Sequence, residues 1–215
     1  MAICAVIFDL DGVLIDSGPA HRESWRALGI ELGVEVSDSA VAAVFGRQNR
    51  DIVPILFGDD RTPQEVRRLG ARKEELYRDL VRGKLPVNEG AVELVRYYLA
   101  GGYQLAIGSS TPRANIDLAL GEMGVAELFG VIVSSEDVSV GKPDPTVFLT
   151  AASRLGVLPG DCLVIEDAPA GVEAGKAARM VVVALAGSHS RKKLGHADRV
   201  ISSLNELIIA DPANA

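Results

Sequence analysis

At 215 residues, 48% hydrophobic and 24% charged, the chain has the make-up of an ordinary folded protein with a sizeable core, which excludes a disordered or fibrous one. A formal net charge of −7 disfavours a nucleic-acid surface, because contacts to backbone phosphates need clustered Lys and Arg. No apolar stretch reaches the roughly 18 residues of a membrane span, and no basic segment leads into an apolar one at the start. The expectation is a cytoplasmic protein without membrane or nucleic-acid partners, monomeric or weakly dimeric.

Residues 3–14, ICAVIFDLDGVL, form an unbroken apolar run that ends in Asp9, Asp11 and Gly12. A run apolar on both faces suits a strand buried between two helix layers. Both aspartates should then emerge at the carboxyl end of a central strand, where open α/β sheets bind ligands. Alternation puts the two side chains on one side, and Gly12 lets the chain turn away without a Cβ. Two carboxylates held side by side need a cation or a shared proton. A solvated Asp-Gly turn is the plainer alternative.

Between Asp16 and about Lys84 only helical stretches follow, over 20–32, 38–44, 51–57 and 62–81. The last opens with Thr62-Pro63-Gln64-Glu65, a capping box with proline at the first helical position. Further apolar runs at 105–108, 131–133, 162–165, 180–184 and 200–201 alternate with helical patterns, such as Ala91, Leu94, Val95 and Tyr98, or Val147, Phe148, Ala151 and Ala152. That alternation implies a parallel sheet with right-handed crossovers. The fold class is therefore α/β: a Rossmann-like core of residues 1–15 and 85–215, with an inserted α-helical cap at 16–84. Cys4 and Cys162 lie in apolar runs and read as buried thiols, not as a disulfide or metal pair.

Three later strand ends carry chemistry. QLAIGSST, 104–111, ends in hydroxyls before Pro112; these could cap a helix or seat a phosphate at its N-terminus. VGKPDP, 140–145, presents Lys142, which alone could be an ordinary solvated lysine. LVIEDAPAG, 163–171, ends in Glu166 and Asp167, where an aspartate could merely cap the next helix. With Asp9 and Asp11 they make a coherent set: carboxylates for a hard divalent cation, a hydroxyl and a lysine for phosphoryl oxygens.

In this order the four motifs resemble those of the haloacid dehalogenase superfamily of aspartyl phosphotransferases, in particular its β-phosphoglucomutase-like and phosphoglycolate-phosphatase-like group. The resemblance spans essentially the whole chain, and the helical insert sits where that group has its cap. It implies that Asp9 is the nucleophile and Asp11 the general acid and base, that Ser109 and Lys142 bind the phosphoryl group with Ser110 beside them, and that Mg²⁺ is held by Asp9, the backbone carbonyl of Asp11 and Asp167, with Glu166 either a direct ligand or a partner of one. It implies substrate-binding cap positions at His21, Arg47 and Lys73, although His21 and Lys73 could equally be solvated helix residues. The loop FGRQNR, 45–50, departs from the mutase pattern: Asn49 stands where that pattern has arginine, three residues after the glycine. Asp11 also argues against a true dehalogenase, whose halide leaves unprotonated. The function expected is a Mg²⁺-dependent phosphatase for a small phosphorylated metabolite, such as a sugar phosphate. A phosphomutase is the alternative, and a receiver-type signalling module is disfavoured by the position of Asp9 and by the insert. His189 and His196, in a polar late loop, receive no role.

Overall fold

The computed structural model describes residues 2–44 and 48–209, so Arg47 lies outside the described residues. The chain divides into two compact units, one formed by residues 1–16 with 85–215 and the other by 17–84.

The first unit is built on a six-stranded parallel sheet of order β3-β2-β1-β4-β5-β6. Its strands are β1 (Ala5–Phe8), β2 (Gln104–Gly108), β3 (Val131–Val133), β4 (Cys162–Glu166), β5 (Val181–Leu185) and β6 (Arg199–Ile201). The central strand β1 reads Ala-Val-Ile-Phe, and all four residues are fully buried. Alternation splits them between two cores. Val6 and Phe8 join Leu105, Ile107, Leu163 and Ile165 under the helices α5 (Ala91–Ala100) and α6 (Arg113–Met123). Ala5 and Ile7 join Ala106, Val164 and Val182 under α7 (Thr146–Leu155) and α8 (Pro169–Ala177). A strand covered on both faces has no position for a polar side chain, which is why β1 is apolar throughout and β4 is apolar until its last residue. The expected α/β architecture with a Rossmann-like parallel sheet is present.

Strand order turns at β1: β2 and β3 lie to one side, β4 to β6 to the other. The carboxyl ends of β1 and β4 therefore flank the topological switch point, the crevice where such sheets bind ligands. Phe8 pairs with Ile165, and the Asp9 N–H bonds the Ile165 carbonyl at 2.9 Å, so Asp9 comes level with Glu166.

Cys4 corrects an expectation. It falls one residue outside β1 and is exposed, whereas Cys162, inside β4, is buried; both are free thiols.

The second unit consists of helices α1 (Gly18–Leu32), α2 (Asp38–Val44), α3 (Asn49–Phe57) and α4 (Pro63–Val81) around a core of Trp25, Leu28, Val41, Val44, Ile52, Val53, Phe57 and Leu69. The capping box at Thr62 forms as the spacing predicts: the Glu65 N–H donates to Thr62 Oγ1 at 3.3 Å and the Thr62 N–H donates to Glu65 Oε2 at 2.8 Å.

Candidate active site

Four buried side chains meet at the ends of β1 and β4. Lys142 Nζ is ion-paired to Asp9 Oδ1 at 3.0 Å and to Glu166 Oε1 at 2.6 Å, and it lies 4.7 Å from the centre of the Phe148 ring. Glu166 uses its other oxygen on the backbone, accepting the N–H groups of Asp167 and Ala168 at 2.7 and 2.8 Å. One ligand oxygen from each of Asp9, Glu166 and Asp167 falls within 4.8 Å of the others.

Two glycines make room for these carboxylates. A Cβ on Gly12 would lie 1.9 Å from Asp167 Oδ2, and one on Gly171 would lie 1.7 Å from Glu166 Oε1. Gly12 also has φ +78°, in the left-handed region, so the turn after Asp11 requires glycine twice over. Asn88 clamps that turn, donating from Nδ2 to the carbonyls of Gly12 and Val13 at 3.0 and 2.9 Å.

Three acidic side chains share this buried space with one lysine, and the acidities of Asp9, Asp167 and Lys142 respond. Burial pushes Asp9 up to about 7 against the opposing charge of Lys142, with Glu166 and Asp11 adding repulsion. Burial, then repulsion from Glu166 and Asp9, pushes Asp167 up to about 8. Burial alone would lower Lys142, but the carboxylates of Asp9 and Glu166 more than offset it and hold the ammonium above its ordinary range. A hard divalent cation fits this donor set. It would neutralise the surplus negative charge and find only oxygen ligands, with none of the sulfur or imidazole that zinc prefers.

On the other side of Asp9, Ser109 leaves β2 fully buried. Its N–H bonds the Val133 carbonyl, and its Oγ accepts the Thr111 N–H at 3.3 Å. Thr111 Oγ1 in turn bonds Asp11 Oδ2. These hydroxyls do not cap α6, whose N-cap is Pro112 with no side-chain cap bond; Ser110 is exposed. Nor does Asp167 cap α8, which begins after Ala168 without a side-chain cap. Helix capping, the plainer alternative for both motifs, is thus not what these side chains do.

Sequence reasoning missed Thr111, Asn88, Gly171 and Ser188, the last of which bonds Asp167. Thr111 and Gly171 stood inside the quoted motifs, but Asn88 and Ser188 belong to connections with no chemical signature of their own.

In the helical unit Lys73 is not the exposed lysine its neighbours Arg72 and Glu74 suggest. It is 2% exposed, with Nζ 2.9 Å from Glu74 Oε1 and 2.6 Å from His21 Nδ1, and lies over the rings of Trp25 and Tyr77. His21 stacks on Tyr77 with ring centres 4.1 Å apart. Asn49 donates to the same Glu74 oxygen at 2.7 Å.

Fold and site together define an α/β protein with a buried carboxylate and lysine cluster at the sheet's switch point. A model of haloacid dehalogenase-like hydrolases matches residues 3–179, and the chain belongs to that family. It is 35% identical over 207 residues to the chloroplastic 5-amino-6-(5-phospho-D-ribitylamino)uracil phosphatase of Arabidopsis thaliana, covering 95% of this chain and 56% of that one. It is 34% identical to the validoxylamine A 7'-phosphate phosphatase of Streptomyces hygroscopicus subsp. limoneus, covering 94% of each. Among solved structures, a β-phosphoglucomutase from Clostridium difficile superposes with a TM-score of 0.83 at 26% identity, over 95% of this chain and 93% of that one. Membership of a hydrolase family leaves no place for the receiver-module alternative.

Proposed function

We propose that the protein is a Mg²⁺-dependent phosphatase that hydrolyses a small phosphorylated metabolite through an aspartyl phosphate on Asp9. One juxtaposition carries the reading: the buried Asp9 carboxylate 3.0 Å from Lys142, with ligand oxygens of Glu166 and Asp167 within 4.8 Å. A carboxylate nucleophile splits a very slow hydrolysis into two easier steps. Asp9 attacks phosphorus while the ester P–O bond breaks, and Asp11 gives its proton to the departing oxygen. Water then attacks the phosphorus of the aspartyl phosphate, Asp11 takes the proton from that water, and the Asp9 carboxylate is released with inorganic phosphate.

Lys142 and Ser109 bind the non-bridging oxygens, with the charge placed where it develops as phosphorus is transferred. Asp9, the Asp11 carbonyl, Glu166 and Asp167 would hold Mg²⁺, whose positive charge would offset the repulsion between an anionic carboxylate and an anionic ester. Thr111 orients Asp11 through its hydroxyl. The helical unit is the cap, and His21, Arg47 and Lys73, with Ser110 of the core, select the rest of the substrate.

The test is phosphate release from an aryl phosphate and from a panel of sugar phosphates, with Mg²⁺ and after exhaustive chelation. Metal-dependent release that is lost in Asp9→Asn supports the reading, and release indifferent to chelation refutes it.

Similarity to a β-phosphoglucomutase keeps the phosphomutase reading as the alternative. Two contacts weigh against it: Asn49 stands at the position of the mutase arginine and donates to Glu74, and Lys73 has its charge matched by the same carboxylate. Rapid formation of glucose 6-phosphate from β-glucose 1-phosphate with a trace of glucose 1,6-bisphosphate would establish the mutase; steady release of free phosphate supports the phosphatase.

A further inference from the structure

Asp167 belongs to the acidic cluster, yet nothing in its own motif explains how its carboxylate is held. On one side the missing Cβ of Gly12 leaves the space the carboxylate fills. On the other stands Ser188, in the connection that follows β5, 21 residues further along the chain. Ser188 Oγ bonds Asp167 Oδ2 and lies 3.3 Å from the Asp167 main-chain carbonyl. It also lies 3.2 Å from His189 Nδ1. A serine hydroxyl has one proton, and an ionised carboxylate and a carbonyl accept only. With Asp167 ionised, as a metal ligand has to be, the serine proton points at Asp167 and the His189 Nδ1–H donates to the serine oxygen. The hydroxyl engages side chain and main chain of the same residue, so it restricts rotation about the Asp167 side-chain bonds as well as satisfying one oxygen.

We propose that Ser188 is a positioning residue that sets the affinity of the acidic cluster for Mg²⁺, by holding the Asp167 carboxylate where one of its oxygens lies within 4.8 Å of ligand oxygens of Asp9 and Glu166. The inference rests on the metal reading of that cluster. A ligand already turned toward the ion loses little conformational freedom on binding, whereas one that must be ordered at that moment costs affinity. The serine would also leave Asp167 one oxygen for the metal, which suits the near-octahedral demands of Mg²⁺ better than a bidentate grip. Ser188 is itself exposed and contributes nothing to the sheet cores. A purely structural role therefore predicts no effect on metal affinity.

The experiment is calorimetric titration of Mg²⁺ into the chelator-stripped full chain, with metal-free melting temperatures recorded for every variant. Ser188→Ala should weaken Mg²⁺ binding about 10-fold to 100-fold, the usual cost of removing a partner of a metal ligand. Its metal-free melting temperature should stay near that of the parent. Ser188→Thr, which restores the hydroxyl, should return the affinity to within about threefold. Should Ser188→Ala fail to fold, Ser188→Cys keeps the size but is a poor donor and carries the same expectation. A Ser188→Ala dissociation constant within twofold of the parent, or a Ser188→Thr as weak as Ser188→Ala, would overturn the proposal. The titration does not depend on turnover: a parent chain that binds Mg²⁺ but releases no phosphate from any ester defeats the phosphatase reading and leaves the Ser188 comparison intact. A parent chain that binds no Mg²⁺ overturns both.

Discussion

Asp9 carries the most chemistry of any residue here, and its surroundings make its replacement informative. Asp9→Asn keeps the volume but removes the charge of the proposed nucleophile, so turnover should vanish while the circular dichroism spectrum is retained. The same change deletes one of several clustered negative charges, and without metal the variant should melt above the parent. Gly171 gives a second, independent probe. A Cβ there would overlap the Glu166 carboxylate, which must then give up its contact with Lys142. Gly171→Ala should therefore lower kcat by at least tenfold, about 1.4 kcal/mol in the barrier. Gly121→Ala, at a glycine with open space around its Cβ position, should leave kcat unchanged. Steady-state kinetics on an aryl phosphate separates the two.

At the scale of elements, the connections after the strands are held by specific polar contacts. In the connection after β3, Asp137 accepts the Ser134 N–H and hydroxyl at 2.9 and 2.7 Å and pairs with Arg154 at 2.7 Å. The Ser134 contacts, with Arg154 assisting, pull its carboxyl down from 3.8 to about 2. A carboxyl lowered on folding stabilises the native state above its unfolded pKa and loses that contribution as pH falls through the folded one. Asp137 should therefore contribute fully above pH 4 and progressively less down to about pH 2. In denaturant titrations over that window, Asp137→Asn should show a shallower acid dependence than the parent.

The helical unit offers its own reporter, because the chain's one tryptophan, Trp25, is buried in that core. Removing the α4 cap by Thr62→Ala should cost about 1 kcal/mol. The loss should appear in the tryptophan fluorescence melt.

For the molecule as a whole, the Mg²⁺ binding proposed for the acidic cluster makes a prediction about stability. A cation that binds only the folded chain raises its stability by about 2.7 kcal/mol at one hundred times its dissociation constant. The metal-free protein should melt several degrees lower than the protein in saturating Mg²⁺, since each 1 kcal/mol is worth about 2–4 °C at this size. Differential scanning calorimetry with and without chelator measures it, and the difference should shrink in Asp9→Asn.

The two-faced burial of β1, the alternation of strand and helix, the capping box at Thr62 and the order of the four motifs were all legible in the sequence, because each is set by local periodicity or by residues adjacent along the chain. So was the identity of Asp9, Lys142, Glu166 and Asp167 as candidates, since chemically distinctive side chains stood at strand ends. Tertiary structure decided which of their plainer roles were discarded. Neither Asp167 nor the hydroxyls of 109–111 cap a helix, and Lys73 is buried against Glu74 although both its neighbours in sequence are charged. Folding also exposed Cys4 by starting β1 one residue later, a boundary set by where pairing with β4 begins. Thr111, Asn88 and Ser188 gain meaning only through partners 100, 76 and 21 residues away, in Asp11, Gly12 and Asp167. A hydroxyl or an amide has no pattern along the chain that announces such a partner; the parallel sheet brings them together by aligning the ends of strands that are distant in sequence.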